Sequence, residues 1–215
     1  MHVAGLLGWV LASYLLGSFP ASIVLGKLFY HRDIRTEGSR NAGATNAFRV
    51  FGWRLGVAVL MLDSGKGVLA ALLAAHYGGA TGLSPGDSAL LAGAGAVAGH
   101  IWTIFARFKG GKGVATAAGV LFAVSPIAAA ATLLVFVLVV GRTGWVSAAS
   151  LGAALAFPVS LLGLAAFGHP PSAVLAVFTL IVVPLIFITH RANIRRILRG
   201  EEPRIEALRF LAHST

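Results

Sequence analysis

Long apolar runs, each close to the length that crosses a lipid bilayer, constrain this chain more than any other feature. A helix needs roughly 20 apolar residues to cross roughly 30 Å of hydrocarbon. Six such runs occur: Val3 to Leu25, Leu55 to Tyr77, Ala89 to Phe105, Val114 to Val140, Val146 to Ala166 and Ala173 to His190. Only 11% of the residues are charged and the mean hydropathy is +0.86, far outside the range of soluble proteins. The sequence therefore predicts an integral, multi-pass membrane protein.

The length and the residue types limit the rest of the architecture. After several spans are counted, 215 residues leave no room for a second domain, so residues 1–215 are expected to form one domain. The first apolar run lacks a Lys/Arg-rich start and a clear cleavage site, which predicts a retained span rather than a signal peptide. The sequence contains no cysteine, which excludes disulfides, thiolate metal ligands and a thiol nucleophile.

Basic residues predict which loops face the cytoplasm. The formal net charge is +10, which in a soluble protein would suggest nucleic acid, but here the loops at 78–87 and 168–171 contain neither Lys nor Arg. All basic residues except Lys66 lie in the other loops and in the C-terminal tail. By the positive-inside rule, the two uncharged loops face outward and the others face the cytoplasm. We therefore expect no nucleic-acid partner.

The fourth apolar run, from Val114 to Val140, is expected to turn back rather than to cross once. A single crossing would place Arg142 and the Arg-rich tail outside, against the charge rule. Pro126, which follows Ser125, interrupts a helix and favours a turn there. The predicted fold is an all-α, polytopic bundle of seven transmembrane helices, some of them short, with the N-terminus out and the C-terminus in. The Arg191 to Arg209 tail could then lie on the anionic cytoplasmic leaflet.

Two polar, glycine-rich stretches on the predicted cytoplasmic side have the composition of a ligand site. The first, TEGSRNAGATNAFR from Thr36 to Arg49, crowds hydrogen-bonding side chains between two apolar runs. In the second, KGGKGVAT from Lys109 to Thr116, glycines permit tight turns, and amides at a helix start together with Lys112 favour an anion. The second stretch does not match the phosphate-binding loop of nucleotide enzymes. A flexible basic loop is its structural alternative.

Two further clusters lie on the same predicted side. In HRANIRR, His190 and Asn193 are three residues apart and share one helical face, as a ligand site requires. The alternative is a basic helix boundary whose long side chains reach toward water. In GWVSAAS, Ser147 and Ser150 lie just inside the lipid boundary, where serines often bond only to the helix backbone.

Asp63, Lys66 and His100 are ionisable residues within apolar runs. Asp63 and Lys66 are three residues apart on one predicted helix, and we expect them to form a structural pair that braces the site. His100 is either a hydrogen-bond partner between helices or a wall of the site. The small residues of GAGAVAG, at 93–99, are expected to allow close helix packing.

The predicted cytoplasmic face combines cations, amides and hydroxyls with few carboxylates. These groups recognise phosphate, because the donors bond its oxygens and the cations balance its charge. The expected ligand is a small phosphorylated compound from the cytosol, and a site at the lipid boundary suits an acyl compound as the second ligand. The carboxylates on this face are scattered, so we expect no metal site and no cofactor.

Five motifs occur in an order and at intervals that resemble a known family. They are GSRNAGATNAFR, LDSGKG, GHIWTIFARFKGGKGVAT, GWVSAAS and HRANIRRILRGEE, and the resemblance extends from Gly17 to Glu202. The family is that of the bacterial acyl-phosphate:glycerol-3-phosphate acyltransferases, the PlsY family. The resemblance implies a seven-helix enzyme of the bacterial plasma (inner) membrane with its active site on the cytoplasmic side. Two positions depart from the family pattern: Arg40 stands where glycine is frequent, and Thr103 where proline is frequent.

The resemblance implies a reaction and a set of site residues. A fatty acyl group passes from acyl phosphate to the 1-hydroxyl of glycerol 3-phosphate, giving lysophosphatidic acid and inorganic phosphate. The residues expected to hold the phosphorylated substrates are Ser39, Arg49, Lys112, His190 and Asn193, of which the first four form the predicted catalytic set. Those expected to complete the substrate-binding set are Asn41, Thr45, Asn46, Gly110, Gly111, Gly113 and Ser147. The expected partners are the two substrates, membrane lipids and the enzyme that supplies acyl phosphate.

The mechanism expected from these residues is direct attack by the glycerol hydroxyl, because acyl phosphate is already activated and a covalent nucleophile on the protein is unnecessary. The proton acceptor is either His190 or an oxygen of the donor phosphate. The amides of the Gly110–Gly113 turn, with Lys112, are expected to cradle the donor phosphate. None of the seven histidines is followed by aspartate after four intervening residues, the His-x4-Asp pattern of acyl-CoA and acyl-carrier-protein enzymes. The absence of this pattern favours an acyl donor other than acyl-CoA or acyl carrier protein.

Two other functions compete with the enzyme. A transporter for a small organic phosphate could use the same cations, but it requires a polar route and an outer mouth. The predicted outward loops are short and nearly uncharged, which favours an enzyme open to one side. A membrane scaffold would leave the glycine-rich polar motifs without a purpose, and it predicts that Lys112→Ala has no effect.

Overall fold

The computed structural model describes residues 2–211, except for the side chains of His2 and Ala80, and this part of the chain consists of helices joined by turns and loops. The α-helices are α1 (His2–Gly17), α2 (Ala21–Tyr30), α3 (Ala44–Phe51), α4 (Trp53–Tyr77), α5 (Pro85–Ile101), α6 (Val114–Val124), α7 (Pro126–Thr143), α8 (Val146–Ala166), α9 (Ala173–Thr189) and α10 (Arg191–Leu198). Short 3-10 helices occur at Ile34–Thr36, Gly78–Thr81, Ile104–Ala106 and Glu206–Leu208. The predicted all-α class is confirmed.

Several of these segments are long and apolar enough to cross a membrane. Within residues 2–211 there are five: Val3–Tyr30, Trp53–Tyr77, Pro85–Ala106, Pro126–Thr143 and Val146–Ala166. The pair of α9 and α10, bent by 57°, is a sixth candidate. Helix α6 is apolar but has only 11 residues. The structure therefore supports a multi-pass membrane protein, as the sequence predicts.

The fourth apolar run breaks at the predicted position. Helix α6 ends at Val124 and α7 begins at Pro126, because proline cannot donate to the preceding turn but fits the first position of a new helix. Helix α7 continues beyond Val140 to Thr143 and reaches 18 residues, enough to span. The expectation that both helices of this run would be short is therefore wrong for α7 and correct for α6.

The first apolar run, expected to be one continuous helix, contains a break. Helix α1 ends at Gly17, and α2 begins at Ala21, directly after Pro20. The helical run also continues past Leu25 to Tyr30. The break leaves the Phe19 carbonyl oxygen accessible to a side chain from another helix, and it accepts a hydrogen bond from Lys66 at 3.2 Å.

The chain divides into two compact units, the first ending at Val124 and the second beginning at Ser125. In the first unit, α1 and α5 run parallel and close together. A methyl group on Gly95 would lie 2.5 Å from the Val10 carbonyl oxygen, and one on Gly99 would lie 2.1 Å from that of Tyr14. Only glycine allows the backbones to approach this closely, so the predicted packing role of 93–99 is confirmed.

Helix α3 is held against α2 and α4 by an apolar cluster in the first unit. The buried members are Ala21, Ile23, Ile34, Ala42, Ala47, Phe51, Leu55, Val59 and Ala106. Gly52, with a φ of 88°, forms the corner that lets α4 begin at Trp53 and pack back on α3. The cluster thereby fixes the helix that carries Asn46 and Arg49.

The second unit is built from α7, α8, α9 and α10. Helix α8 packs against α7 and α9, and α10 packs against both α8 and α9. Pro158 lies inside α8 and Pro184 inside α9. Helices α9 and α10 meet at His190, which ends the first and begins the second. The bend at this point sets the position of the predicted site residues His190 and Asn193.

Candidate active site

Asn46 organises the first glycine-rich stretch from a buried position on α3. It is 1% exposed. Its Oδ1 accepts from the Ser39 amide at 2.9 Å, and its Nδ2 donates to the carbonyls of Ile34 and Glu37 at 3.2 and 3.0 Å. Both amide hydrogens are therefore used on the backbone, and Asn46 holds the loop that presents Ser39. The structure thus gives Asn46 a role in holding the loop, and its role in shaping a substrate pocket stays a prediction.

Left-handed backbone conformations shape the same loop. Gly38 has a φ of 54°, and a methyl group there would lie 2.4 Å from Asn46 Oδ1. Arg40 has a φ of 58°, a conformation that costs most residues roughly 1–2 kcal/mol. Glycine avoids this cost, which gives a physical reason for the glycine that the resemblance leads us to expect at this position.

The carboxylates near this loop are paired with cations. Asp33 Oδ2 lies 2.7 Å from Arg35 Nη2 and 3.6 Å from Lys27 Nζ, and Glu37 forms a two-point ion pair with Arg32. The hydrogen bond from Arg35, helped by the charges of Arg35 and Lys27, holds the pKa of Asp33 well below its usual value despite partial burial. Paired carboxylates add little repulsion toward a phosphate that approaches the loop.

The second glycine-rich stretch folds back onto the end of α5. The Gly110 amide donates to the Ile101 carbonyl and the Gly111 amide donates to the His100 carbonyl, both at 3.0 Å. These two amides therefore fold the turn, which changes the predicted role of Gly110 and Gly111 as donors to phosphate. Gly113, with a φ of 86°, leads directly into α6. The amides at the start of α6 lie beside Lys112 and have no carbonyl of their own helix to donate to.

The two glycine-rich stretches meet in the first unit. A methyl group on Gly111 would lie 3.1 Å from the Ala42 carbonyl oxygen. Ala42 lies between Asn41 and Gly43 in the first stretch, and Gly111 precedes Lys112 in the second. The structure thus brings together two stretches that are more than sixty residues apart, as the phosphate-site hypothesis requires.

The predicted Asp63–Lys66 pair is present and has a third member. Asp63 Oδ1 lies 2.9 Å from Lys66 Nζ and 3.3 Å from His100 Nδ1. All three residues are buried. A small cavity of about 10 Å³, room for about one water molecule, adjoins them and is also lined by Ala42, Gly110 and Gly111. His100 thus joins α5 to α4 through Asp63 and also lies beside the glycine turn, and its role as a wall of the substrate site stays a prediction.

In the second unit, His190 is buried at the junction of α9 and α10. It is 2% exposed, and its Nδ1 lies 2.8 Å from the Ile186 carbonyl oxygen. A carbonyl can only accept, so Nδ1 carries the proton of this bond. In the neutral ring the lone pair is then on Nε2, which is the atom that could accept a proton.

Glu202 connects the two predicted clusters of the second unit, a role that the sequence patterns did not predict. Ser147 Oγ and Asn193 Nδ2 both donate to Glu202 Oε1 at 2.7 Å. Arg196 Nε donates to Oε2, also at 2.7 Å. The Trp145 indole donates to the Glu202 backbone carbonyl at 3.0 Å. The available signal in the sequence was a carboxylate that closely follows an Arg-rich stretch, where a cation is at hand to pair with it.

The partners of Glu202 set its charge state. Burial would raise the pKa of Glu202, but hydrogen bonds from Ser147 and Asn193 and the guanidinium of Arg196 outweigh burial and hold the pKa below its usual value. Glu202 is therefore ionised at neutral pH. In this arrangement Ser147 and Asn193 each support a carboxylate, so their predicted contact with substrate stays a prediction.

The predicted site residues fall into two groups, one in each unit. The first contains Ser39, Asn41, Thr45, Asn46, Arg49, Gly110, Gly111, Lys112 and Gly113, and the second contains Ser147, His190 and Asn193. In the first group Ser39 is exposed, whereas Arg49 and Lys112 are half-buried. A single pocket formed by both groups stays a prediction.

Comparison with known proteins supports an acyltransferase. Residues 7–200 match the family model described as glycerol-3-phosphate acyltransferase. The glycerol-3-phosphate acyltransferase of Salinibacter ruber is 45% identical over 212 residues, covering 92% of this chain and 91% of the relative. That of Chlorobium phaeobacteroides strain BS1 is 42% identical over 228 residues, covering 94% and 96%. These relatives give no support to the transporter alternative.

Solved structures of similar fold agree with this match. The crystal structure of PlsY, an integral membrane glycerol 3-phosphate acyltransferase, in its glycerol 3-phosphate form has a TM-score of 0.83 to this chain at 38% identity, covering 97% of this chain and 99% of PlsY. Its lysophosphatidic acid form has a TM-score of 0.79. The family model and the relatives cover nearly the whole chain, and the chain therefore belongs to the glycerol-3-phosphate acyltransferase family of integral membrane enzymes.

Proposed function

We propose that this chain transfers a fatty acyl group from acyl phosphate to the 1-hydroxyl of glycerol 3-phosphate and releases lysophosphatidic acid and inorganic phosphate. The observation that carries the proposal is the approach of Ala42 to Gly111. It places the stretch with Ser39 and Arg49 against the turn with Lys112. Two phosphorylated reactants require two adjacent sets of cations and hydrogen-bond donors, and these stretches supply them.

Each stretch is assigned one reactant. Lys112, Gly113 and the first amides of α6 hold the donor phosphate, because a cation beside a helix start favours an anion. Ser39 and Arg49, with Asn41 and Thr45, hold glycerol 3-phosphate. His190 and Asn193 are also assigned to the substrates, with Asn193 oriented by Glu202.

The chemistry needs no covalent intermediate on the protein. The glycerol oxygen bonds to the acyl carbon, the bond between that carbon and the phosphate oxygen breaks, and phosphate leaves with the electron pair. The hydroxyl proton goes either to His190 Nε2 or to an oxygen of the departing phosphate. Lys112 stabilises the negative charge that accumulates on the leaving phosphate.

The proposal includes a membrane topology. Seven crossings result if α6 is a short crossing and α9 is the last crossing, with α10 bent away from it by 57°. The N-terminus is then outside and the C-terminus inside, in one domain of the bacterial plasma (inner) membrane. The active site faces the cytoplasm, where the enzyme that supplies acyl phosphate is the proposed partner. Helix α10 lies on the anionic inner leaflet.

Donor identity is tested with purified protein in detergent. Palmitoyl phosphate, palmitoyl-CoA and palmitoyl carrier protein are each supplied with glycerol 3-phosphate, and monoacylglycerol phosphate is measured. Product from palmitoyl phosphate alone is expected. Product from either thioester at a comparable rate would reject the donor assignment, and catalysis in detergent is not expected of a transporter.

Lys112→Ala tests the proposed phosphate site against the scaffold alternative. We expect kcat/KM to fall at least 100-fold, because the cation acts on the leaving phosphate. The matched control is Lys109→Ala in the same loop, whose side chain is exposed and which should retain activity within about twofold. Equal losses in the two variants would show that general positive charge, and not Lys112, matters.

His190→Gln distinguishes the two proton acceptors. If His190 is the base, kcat falls about 10²–10⁴-fold while the protein remains folded. If a phosphate oxygen accepts the proton, kcat stays near normal and the KM for glycerol 3-phosphate changes. The pH profile of kcat separates the two outcomes further. Only if His190 is the base should the titration of a basic group disappear from the profile in His190→Gln.

The topology is tested by single cysteines, since the native chain has none. Cysteine at Gly86 is expected to react with a membrane-impermeant thiol reagent added to intact cells. Cysteine at Arg199 is expected to react only after the membrane is opened. The reverse pattern would reject the proposed orientation.

A further inference from the structure

A buried cluster of three titratable side chains lies directly beneath the glycine-rich turn. Asp63 is 2% exposed, and Lys66 and His100 are each 6% exposed. A single oxygen, Asp63 Oδ1, lies 2.9 Å from Lys66 Nζ and 3.3 Å from His100 Nδ1. Lys66 Nζ also donates to the Phe19 carbonyl at 3.2 Å. The cluster therefore ties together α4, α5 and the break between α1 and α2.

Burying three titratable side chains in an apolar bundle costs desolvation free energy. An Asp–Lys pair at three-residue spacing already neutralises both charges, so balancing charge does not require His100. Apolar residues of similar volume would often stabilise such a site at least as well as a buried ion pair. The contacts of His100 give a reason why this chain keeps a polar cluster here.

His100 touches the glycine turn at two points. Its carbonyl accepts from the Gly111 amide at 3.0 Å. Its ring lies directly under the same residue, because a methyl group on Gly111 would be 2.1 Å from Nε2. The position of the ring therefore sets the position of residue 111, and with it that of the adjoining Lys112.

Asp63 in turn sets the position of the ring. A carboxylate oxygen can only accept, so His100 donates through Nδ1 and presents its Nε2 edge to Gly111. Lys66 holds Asp63 from the other side. The chain of contacts runs from Lys66 through Asp63 and His100 to Gly111, without a flexible surface group among them.

We propose that Asp63 and His100 are positioning residues for the turn that holds the donor phosphate. Asp63 orients the imidazole, and the imidazole supports the turn so that Lys112 and the start of α6 face the phosphate. This inference rests on the proposed function, in which Lys112 and α6 bind acyl phosphate. It predicts a selective effect on the donor, because glycerol 3-phosphate is assigned to the other stretch.

The test measures the KM for each substrate in variants on both sides of the contact. His100→Ala removes the support, and Gly111→Ala forces a methyl group against the ring. Each is expected to raise the KM for palmitoyl phosphate about tenfold. The KM for glycerol 3-phosphate should stay within twofold in His100→Ala, which is the variant that tests selectivity, because the methyl group of Gly111→Ala would also lie 3.1 Å from the Ala42 carbonyl oxygen of the other stretch. Gly65→Ala is the matched control on α4, since a methyl group there meets nothing within 4 Å and all parameters should stay at wild-type values.

The double variant decides whether the contact itself matters. In His100→Ala/Gly111→Ala the new methyl group enters the space that the ring has left, so the KM for palmitoyl phosphate should be lower than in either single variant. The inference would be overturned if the fold-increases of the two single variants simply multiplied in the double variant, or if His100→Ala raised the KM of both substrates equally. If His100→Ala loses its cooperative melting transition, Gly111→Ala decides in the same way.

Failure of this inference and failure of the proposed function give different results. Wild-type protein that makes no product from palmitoyl phosphate rejects the function, whatever the variants do. Wild-type activity with palmitoyl phosphate, together with variants whose KM for it is unchanged, rejects only the positioning role.

Discussion

Two buried carboxylates, Asp63 in the first unit and Glu202 in the second, each gather side chains from distant segments, but their partners differ. Asp63 faces the Lys66 ammonium, whose side chain is only 5% exposed. Glu202 faces the Arg196 guanidinium, whose side chain is 33% exposed, and also accepts from neutral donors. One carboxylate thus balances a fully buried cation, whereas the other balances a cation that reaches water.

This difference determines what remains when the carboxylate is lost. Without Asp63, the Lys66 charge stays in an apolar bundle and has no nearby counter-ion. Without the charge of Glu202, Arg196 can turn toward solvent, and the neutral donors still find an acceptor in a glutamine. The two carboxylates have similar hydrogen-bond geometry, but their loss should lower the free energy of unfolding by different amounts. The reason is that the cation left behind is desolvated in one site and reaches water in the other.

The largest effect is expected for Asp63→Asn. Leaving the buried Lys66 ammonium without its counter-ion should lower the free energy of unfolding by about 3–5 kcal/mol. Denaturant unfolding in detergent measures the change. The control is Asp63→Asn combined with Lys66→Met, which removes the orphaned charge and should recover most of the loss. A double variant as unstable as the single one would refute this account of the pair.

Glu202→Gln is expected to cost less, about 1.5–3 kcal/mol, because it removes a charge-assisted hydrogen bond but leaves Arg196 access to water. The same unfolding measurement applies. The matched control is Glu201→Gln, an exposed neighbour that should change stability by less than about 0.5 kcal/mol. A cost equal to that of Asp63→Asn would mean that partner exposure does not separate the two sites.

The stability that Glu202 contributes should depend on pH. Its pKa is lowered in the folded protein, so the contribution is fully present above the ordinary value of 4.5 and is lost as the pH falls through the lower folded value. The difference in melting temperature between wild type and Glu202→Gln should therefore be constant from neutral pH to about pH 5 and shrink below pH 4.5. A difference that grows on acidification would have the wrong sign.

The smallest effect is expected for Ser147→Ala, which removes one neutral donor to Glu202 and should cost about 1 kcal/mol. Ser150→Ala is the control on the same helix, because its hydroxyl only donates to the Val146 carbonyl. The KM for glycerol 3-phosphate, measured in Ser147→Ala and in Glu202→Gln, gives a second test. An increase well beyond that of Glu202→Gln would show that Ser147 contacts substrate directly rather than through the carboxylate.

Local patterns in the sequence were sufficient for much of the fold. The break between Val124 and Pro126 was predictable because proline acts on its own turn of helix. The Asp63–Lys66 pair was predictable because residues three apart share a helical face. The close approach at Gly95 and Gly99 followed from small residues, which let two backbones meet.

The partners of the polar groups were much less predictable. His100 joins Asp63 across 37 positions, and Ser147 joins Glu202 across 55 positions. No periodicity links such positions, because each contact depends on how separate helices pack. The amides of Gly110 and Gly111 illustrate the same limit. Glycine spacing indicated a tight turn, but only the packing against α5 showed that these amides are used inside the protein.

The sequence by itself determined that this chain lies in a membrane, where its helices break, and which chemical groups it places in its loops, since these properties depend on composition and on neighbours within one or two helical turns. Only the tertiary structure decided which of those groups face one another. It paired Ala42 with Gly111, placed His100 beneath the turn and gave Glu202 its three donors. The physical reason is that hydrogen bonds and ion pairs act over a few ångströms in space, and the packing of helices, rather than distance along the chain, sets that separation.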